Sequence, residues 1–500
     1  MNLKLLLENA AKRYGGKTAI VLGEHRLSYA ELDKDSNKIA NALIKMGVGK
    51  GDRVAILLPN TLEYPAIYFG IAKTGGIAVP LDVKYKVDEL ASLYDDSQPK
   101  VMITGSPYLE PLIPVLSRFK SIEHIIDISA KFEGQHLSYQ EIMATSSARR
   151  VEVEPEPEDT ALIAYTSGPT TRPRGVVLTH HSLVAETAIS GDGFQQTDKD
   201  ITILFALPMH HVVGLVGILL SAIYKGGTVV IVPGLSLSGV MEIIERERGT
   251  IFMGVPYIYA LMVNLAKTDG IKHDLSSLRL CGSAGAPLAR STIKQFKKHF
   301  GMDIIDFWGL TEAACHITCP PVDGTGKFGS VGKALPGWEI RIVNNNGREL
   351  PVNHPGEIIA KGHIMKGYYN NPEATAKVVK DGWLYTGDIG KIDEDGYLFI
   401  LGRKKDMIIR KGQNIFPIDI ENVLHAHPKV AEVAAVGISD KLRGEVVRAV
   451  IRLKEGEVAT KQSIKQFCLE RLANYKVPKQ IIFTDSLPKT ATGKIRKQDL

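Results

Sequence analysis

At 500 residues the chain is too long for one ordinary domain and calls for about two to four modules. Its composition, 44% hydrophobic and 23% charged, excludes a disordered or collagen-like chain and is that of a globular protein. The net charge of +6 is too mild to argue for a nucleic-acid partner and suits anionic small-molecule substrates.

The N-terminus has no long apolar core and no small-residue cleavage site of a signal peptide. Residues 52–58 form a short apolar run between turn residues, the pattern of a buried strand. Residues 62–72 follow with helical spacing, 75–80 return to a strand, and 101–104 repeat it. This alternation predicts parallel α/β layers. Residues 152–159 form an acidic, proline-interrupted connector that feeds a strand at 160–165. A hydroxyl- and glycine-rich turn comes next, and a helix is expected from His181. The apolar run from Val212 to Ile223 is too short to span a bilayer and reads as a buried helix. That leaves no integral membrane segment and room only for peripheral membrane contact.

From about Gly329 the texture changes. Strands at 339–343, 356–360 and 397–401 are separated by glycine-rich turns, which predicts a small antiparallel barrel or sheet. Charged residues at Gly402 to Asp406 mark a junction. Beyond it a helix at 417–425, strands at 430–436 and 446–453, and a helix at 461–473 form an α+β unit. The expected division is an N-terminal domain over 1–402, with a β-rich part at about 329–401, and a C-terminal domain over 403–500. The fold class is therefore α/β: layered sheets plus a small β-barrel, followed by a small α+β domain. The four cysteines make no disulfide framework and point to the cytoplasm. Cys315, His316 and Cys319 lack the second cysteine pair that would complete a structural metal site.

Three segments carry chemistry. Residues 165–175 read Y-T-S-G-P-T-T-R-P-R-G, a turn whose N–H groups and hydroxyls can surround an anion. Residues 306–312 read D-F-W-G-L-T-E, and 487–494 read L-P-K-T-A-T-G-K. Together with W-L-Y-T-G-D at 383–388 and G-R-K-K-D at 402–406, they resemble the adenylate-forming enzymes, which include acyl-CoA synthetases, aryl-CoA ligases, firefly luciferase and peptide-synthetase adenylation domains. The resemblance runs from about Leu27 to Lys494.

The family's phosphate loop reads T-S-G-T-T-G-x-P-K-G. Thr166, Ser167, Gly168, Thr170, Pro173 and Gly175 match it, while Pro169, Thr171 and Arg174 depart from it. Proline removes a donor, threonine restricts the backbone and arginine changes the fork geometry, so these changes bear on triphosphate contacts. By resemblance Thr311 contacts the α-phosphate and Glu312 holds Mg²⁺. Trp308 stands where the family has tyrosine, near adenine and the acyl pocket, where its bulk would shorten that pocket. Asp388 and Arg403 are implied at the ribose, and Lys405 at the hinge about which the C-terminal domain turns. Lys411 and Gly412 are implied on the CoA side, and Lys494 as the adenylation lysine.

The segment Leu207 to Gly214 resembles P-x-x-H-x-x-G, which places His211 at the reacting acid. Ser283, Ala284, Gly285, Ala286 and Pro287 resemble the loop that contacts adenine and lines the acyl pocket. Asp306, Phe307 and Gly309 join the nucleotide set, and Gly214, Trp308 and Leu310 the acyl pocket. No acidic residue lies between Leu207 and Leu219, which lowers an amino-acid substrate and favours an apolar one. Residues 437–445 resemble a G-x-x-D-x-x-x-G-E turn of CoA ligases. The implied activity is AMP-forming ligation of a fatty, alicyclic or aryl acid to CoA, with ATP, Mg²⁺ and CoA as cofactors. Two alternatives stand beside it: transfer to an acyl carrier protein, and a weakened nucleotide-binding homologue. The oligomeric state is not legible.

Overall fold

Short apolar runs between turn residues fold as strands covered on both faces, the usual fate of parallel strands. Arg53–Leu57 pairs in parallel with Ile77–Pro80 on one side and Val101–Thr104 on the other, with Val54 opposite Ala78 and Val101. The intervening helix Tyr64–Lys73 is buried at every position, and Pro65 sits in its first turn, where no intrahelical N–H is needed. The structure is a computed structural model describing residues 1–129, 136–166, 174–234, 237–410, 413–440, 444–489 and 495–500.

Among the described residues two large sheets form the N-terminal body. One is 8-stranded and runs from Gly367–Tyr368 through Arg174–Thr179, Thr160–Thr166 and the three parallel strands above to Leu137–Ser138. The other is 7-stranded, with Ile201–Leu204, Thr228–Ile231, Ile251–Gly254, Leu280–Ser283 and Ile304–Asp306 in parallel and an N-terminal hairpin at one edge. The apolar run beginning at Val212 is a buried helix, as its composition requires. It winds as a π-helix over Val213–Leu220 before continuing as an α-helix over Ser221–Lys225.

The antiparallel sheet follows as an open half-barrel of Glu339–Val343, Gly356–Lys361, Trp383–Ile392, Val379–Lys380 and Leu398–Arg403. After the turn Lys404–Asp406 a separate core begins. Ile408, Ile420, Leu424, Val433, Val447, Ile464 and Cys468 pack together without any residue from before the turn. The Glu445 carboxylate accepts from the Ile409 N–H at 2.6 Å, linking two neighbouring strands of this sheet. Its second helix stops at Leu469 rather than Ala473, where the Arg471 N–H tightens to an i→i−3 bond with the Cys468 carbonyl.

A buried polar node ties the body together behind the functional residues. Helix His180–Gly193 starts on a Thr179 cap and carries Glu186 inward. The Glu186 carboxyl accepts from the His316 backbone N–H at 2.8 Å and the Trp338 indole at 3.2 Å, while Ser190 Oγ lies 2.8 Å from His316 Nδ1. Burial pushes Glu186 up to about 8 and His316 down to about 3, so both are neutral at physiological pH.

Because the folded-state value of Glu186 lies above its ordinary 4.5, its stabilising contribution is full below about 4.5 and is lost as pH rises through about 8. Glu186→Ala strands buried donors at roughly 1–3 kcal/mol each and should cost about 3 kcal/mol in chemical denaturation. Glu186→Gln keeps an acceptor and should flatten the fall in stability between about pH 5 and 8 that the parent chain shows.

Candidate active site

The hydroxyl- and glycine-rich turn connects two antiparallel strands, with Thr166 paired to Arg174. The structure adds the strand Arg174–Thr179 between this turn and the helix, which starts at His180, one residue before the expected His181. Ser167, Gly168, Thr170 and Thr171 lie outside the described residues, as do Lys411, Gly412 and Lys494.

The two ends of the turn are nonetheless well placed. The Tyr165 hydroxyl donates to the Asp96 carboxylate. The Arg174 guanidinium lies 5.2 Å from the centre of the Tyr368 ring. Tyr368 in turn donates its hydroxyl to Glu312 Oε1 at 2.7 Å. The strand Gly367–Tyr368 is zipped to Arg174–Thr179, and the Met365 N–H bonds to the Glu312 carbonyl at 2.7 Å. A flat guanidinium stacks on an aromatic face in a way an ammonium does not, which gives Arg174 a structural counterpart for its departure from lysine. Sequence reasoning missed Tyr368. A tyrosine pair after glycine carries no motif weight, and only the sheet pairing brings Tyr368 to Glu312.

Thr311 and Glu312 open a single 3₁₀ turn after the strand Trp308–Leu310, and Thr311 is buried. That strand folds back on Cys315–Cys319 so closely that a Cβ on Gly309 would lie 1.7 Å from the Cys315 carbonyl oxygen. Glycine is obligatory there because nothing larger fits. Trp308 points its indole N–H at Asp388 Oδ2, 2.9 Å away, while Arg403 Nε reaches Asp388 Oδ1 at 2.7 Å. Asp388 and Arg403 are register partners on adjacent strands.

Asp306 ends a parallel strand beside Ser283, whose strand leads into Ala284, Gly285, Ala286 and Pro287. The C-terminal edge of parallel strands is where open α/β sheets take ligands. Asp306 keeps some accessible surface, yet burial pushes its carboxyl up to about 8. Phe307 faces the other way, packing its ring on Phe194 and His316.

The P-x-x-H-x-x-G segment has a steric reason for its glycine: a Cβ on Gly214 would stand 2.3 Å from the Pro208 carbonyl oxygen. His211 Nδ1 faces the Val213 N–H at 3.4 Å. Its neighbour His210 lies 3.6 Å from Asp82, but burial lowers its pKa against the pull of that carboxylate, so the contact is not a full ion pair at neutral pH. Leu310 is half-buried against the main core. Lys405 is exposed in the turn between the two cores, where its neighbour Lys404 holds Glu357 at 2.7 Å. Lys489, in the segment before Lys494, meets the N-terminal body with its Nζ 4.4 Å from the Tyr257 ring centre, and pairs at 2.8 Å with Glu432 of its own unit.

Glu312 with substrate phosphates fits Mg²⁺, which is usually held through one or two carboxylates and phosphate oxygens. One carboxylate oxygen of Glu312 takes the Tyr368 hydroxyl.

Residues 7–369 match the family model described as AMP-binding enzyme, and residues 419–494 match the AMP-binding enzyme C-terminal domain. A long-chain-fatty-acid–CoA ligase of Bacillus subtilis is 34% identical, over 100% of this chain and 94% of its own length. The crystal structure of the anthranilate CoA ligase AuaEII with anthranoyl-AMP superposes with a TM-score of 0.93 at 30% identity, covering 100% of this chain and 96% of that one. ATP-bound MatB from Rhodopseudomonas palustris superposes at 0.92 with 30% identity, and apo MatB at 0.83, each over 100% of this chain and 98% of that one.

Tyr368→Phe removes a hydrogen bond to a charged group, an interaction on the scale of about 1.5–3 kcal/mol. We expect Mg²⁺-dependent ATP binding, measured by calorimetry across a Mg²⁺ titration, to need several-fold more metal, with ATP binding in the absence of metal little changed.

Proposed function

We infer that this chain, which belongs to the AMP-binding enzyme family, binds ATP along the edge formed by Arg174, Asp306, Trp308, Thr311, Glu312, Asp388 and Arg403. The observation that carries this is convergence. Segments around 174, 312 and 368, and others around 308, 388 and 403, meet through specific hydrogen bonds and one stacking contact.

The enzyme is an AMP-forming acid–CoA ligase that uses ATP and CoA. A substrate carboxylate oxygen attacks the α-phosphorus of ATP, the bond to the β,γ-diphosphate breaks, and pyrophosphate leaves. The CoA thiol then attacks the carbonyl of the resulting acyl-adenylate and AMP departs. Bound Mg²⁺ supplies neutralisation of phosphate charge. The chain's residues do the rest by orientation and charge placement.

In our reading Thr311 donates to the α-phosphate, Glu312 holds the metal, and Asp388 accepts from the ribose hydroxyls beside Arg403. Ser167, Gly168, Thr170 and Thr171 surround the terminal phosphates, and Gly285, Ala286, Pro287, Asp306 and Gly309 frame the base, while Phe307, expected with them, turns its ring into the core. His211, Gly214, Ser283, Ala284, Trp308 and Leu310 border the acid. An apolar acid is supported by this uncharged lining and by relatives named for long-chain fatty acids and anthranilate.

Lys494 would stabilise charge on the carboxylate and α-phosphate in the first step. The C-terminal domain, 403–500, would then turn at Lys405 and present Lys411 and Gly412 to the CoA side, so that one site serves two transition states. A separate hydrophobic core beyond the junction supports that division. Four buried, unpaired cysteines support a cytoplasmic setting, and no helix among the described residues is long and apolar enough to cross a membrane.

Lys494→Ala should slow adenylate formation by about 10²–10³-fold, the usual cost of one lost charge-stabilising donor, and leave thioester formation from supplied acyl-AMP nearly intact. Equal loss in both half-reactions, read by pyrophosphate and thioester release, defeats the alternation. Across fatty acids of increasing length, benzoate and cyclohexanecarboxylate, AMP release should depend on CoA. AMP release indifferent to CoA would favour a carrier-protein acceptor.

A further inference from the structure

We propose that Trp308 is a positioning residue for nucleotide binding, its indole N–H fixing the Asp388 carboxylate in the plane that receives the ribose. The proposal rests on the ribose reading of Asp388 given above.

The resemblance expects a tyrosine at this position, and this chain has tryptophan. An indole nitrogen donates and cannot accept, so a buried tryptophan needs an acceptor. Trp308 is 9% exposed, and it finds that acceptor in Asp388, which is 5% exposed. The two residues are 80 positions apart and lie on different sheets. The terminal torsion of an aspartate is broad and roughly two-fold, so a carboxylate held on one oxygen can still swing. Here Arg403 holds Oδ1 and Trp308 holds Oδ2, and the torsion is closed from both sides. Behind them the Asp388 N–H donates to Thr386 Oγ1 at 3.1 Å, and the Thr386 hydroxyl donates to the Ile358 carbonyl at 2.7 Å. The backbone of Asp388 is thus anchored independently of its side chain.

The two restraints differ in what they are attached to. Arg403 ends the strand that leads straight into the turn Lys404–Asp406, and its side chain is 38% exposed. Trp308 belongs to the N-terminal body, beside the Thr311–Glu312 turn. A rotation about Lys405 disturbs the strand end that carries Arg403 and leaves Trp308 in place. Trp308 therefore keeps Asp388 oriented through both half-reactions. A tyrosine carries its hydroxyl on the long axis of the ring, and a phenylalanine keeps an aromatic face without any donor.

The test is calorimetric binding of ATP, 2′-deoxyATP and 3′-deoxyATP to the full chain and to its Trp308→Phe and Asp388→Asn variants. The parent should prefer ATP. Trp308→Phe should weaken ATP by about tenfold, within the range for a hydrogen bond to a charged group, and weaken the deoxy nucleotides much less, so that the preference collapses. Equal weakening of all three nucleotides makes Trp308 a packing or stacking residue and overturns the proposal, as does no change. If Asp388→Asn keeps the full preference for ATP, the ribose reading itself fails. If Asp388→Asn loses the preference and Trp308→Phe keeps it, only the role of Trp308 fails. The ¹⁵N–¹H spectrum of the parent chain gives a second readout that needs no folded Trp308 variant, since there are 3 tryptophans to assign. The Trp308 indole proton should lie downfield and shift on ATP addition, and a free-indole position unmoved by ATP overturns the proposal.

Discussion

A buried carboxylate has to be paired, and the way Asp388 is paired organises the cleft side of this protein. One oxygen takes a donor from a neighbouring strand of the half-barrel, and the other takes a donor from the short strand that continues into the Thr311–Glu312 turn. The half-barrel and the turn are thereby held at a fixed distance. The turn is pinned again from the other side by Tyr368, which belongs to the 8-stranded sheet. Three layers of the fold meet at one short stretch of backbone, and each contributes a side chain that must satisfy a buried polar group.

The same stretch is supported from behind by neutral groups. Glu186 and His316 are buried without charge and bridge a helix of the body to the strand that follows the turn. A neutral carboxyl avoids the desolvation penalty of a buried ion while still accepting hydrogen bonds. Cys315 and His316 looked at first like half of a metal site. Their packing against Phe307, Phe194 and Gly217 puts them in the core instead.

Rigidity on this side contrasts with the single turn that joins the two cores. Beyond Asp406 the hydrophobic residues pack among themselves. Among the described residues, side chains that reach back to the body include Lys404 with Glu357 and Lys489 over Tyr257, and the Ser291 hydroxyl meets the His425 carbonyl. Exposed pairs of this kind are worth about 0–1 kcal/mol each, small enough for one arrangement to be exchanged for another.

The sequence by itself determined a good deal. Continuous apolar runs such as 53–57 and 101–104 can only be strands covered on both faces, and the glycine-punctuated texture after Gly329 separates a half-barrel from the layered body. The motif segments named Thr311, Glu312, Asp388 and Arg403, because their residue types and order carry the family resemblance without any coordinates. What the tertiary structure decided is what those residues touch. It put a strand between the phosphate turn and its helix, wound the Val213–Leu220 run as a π-helix, aimed Trp308 at Asp388 and delivered Tyr368 to Glu312. The physical reason is range. Periodicity and turn chemistry act over a few residues and are written locally. Hydrogen bonds between 308 and 388 or 312 and 368 depend on how whole sheets dock, which no local window of sequence contains.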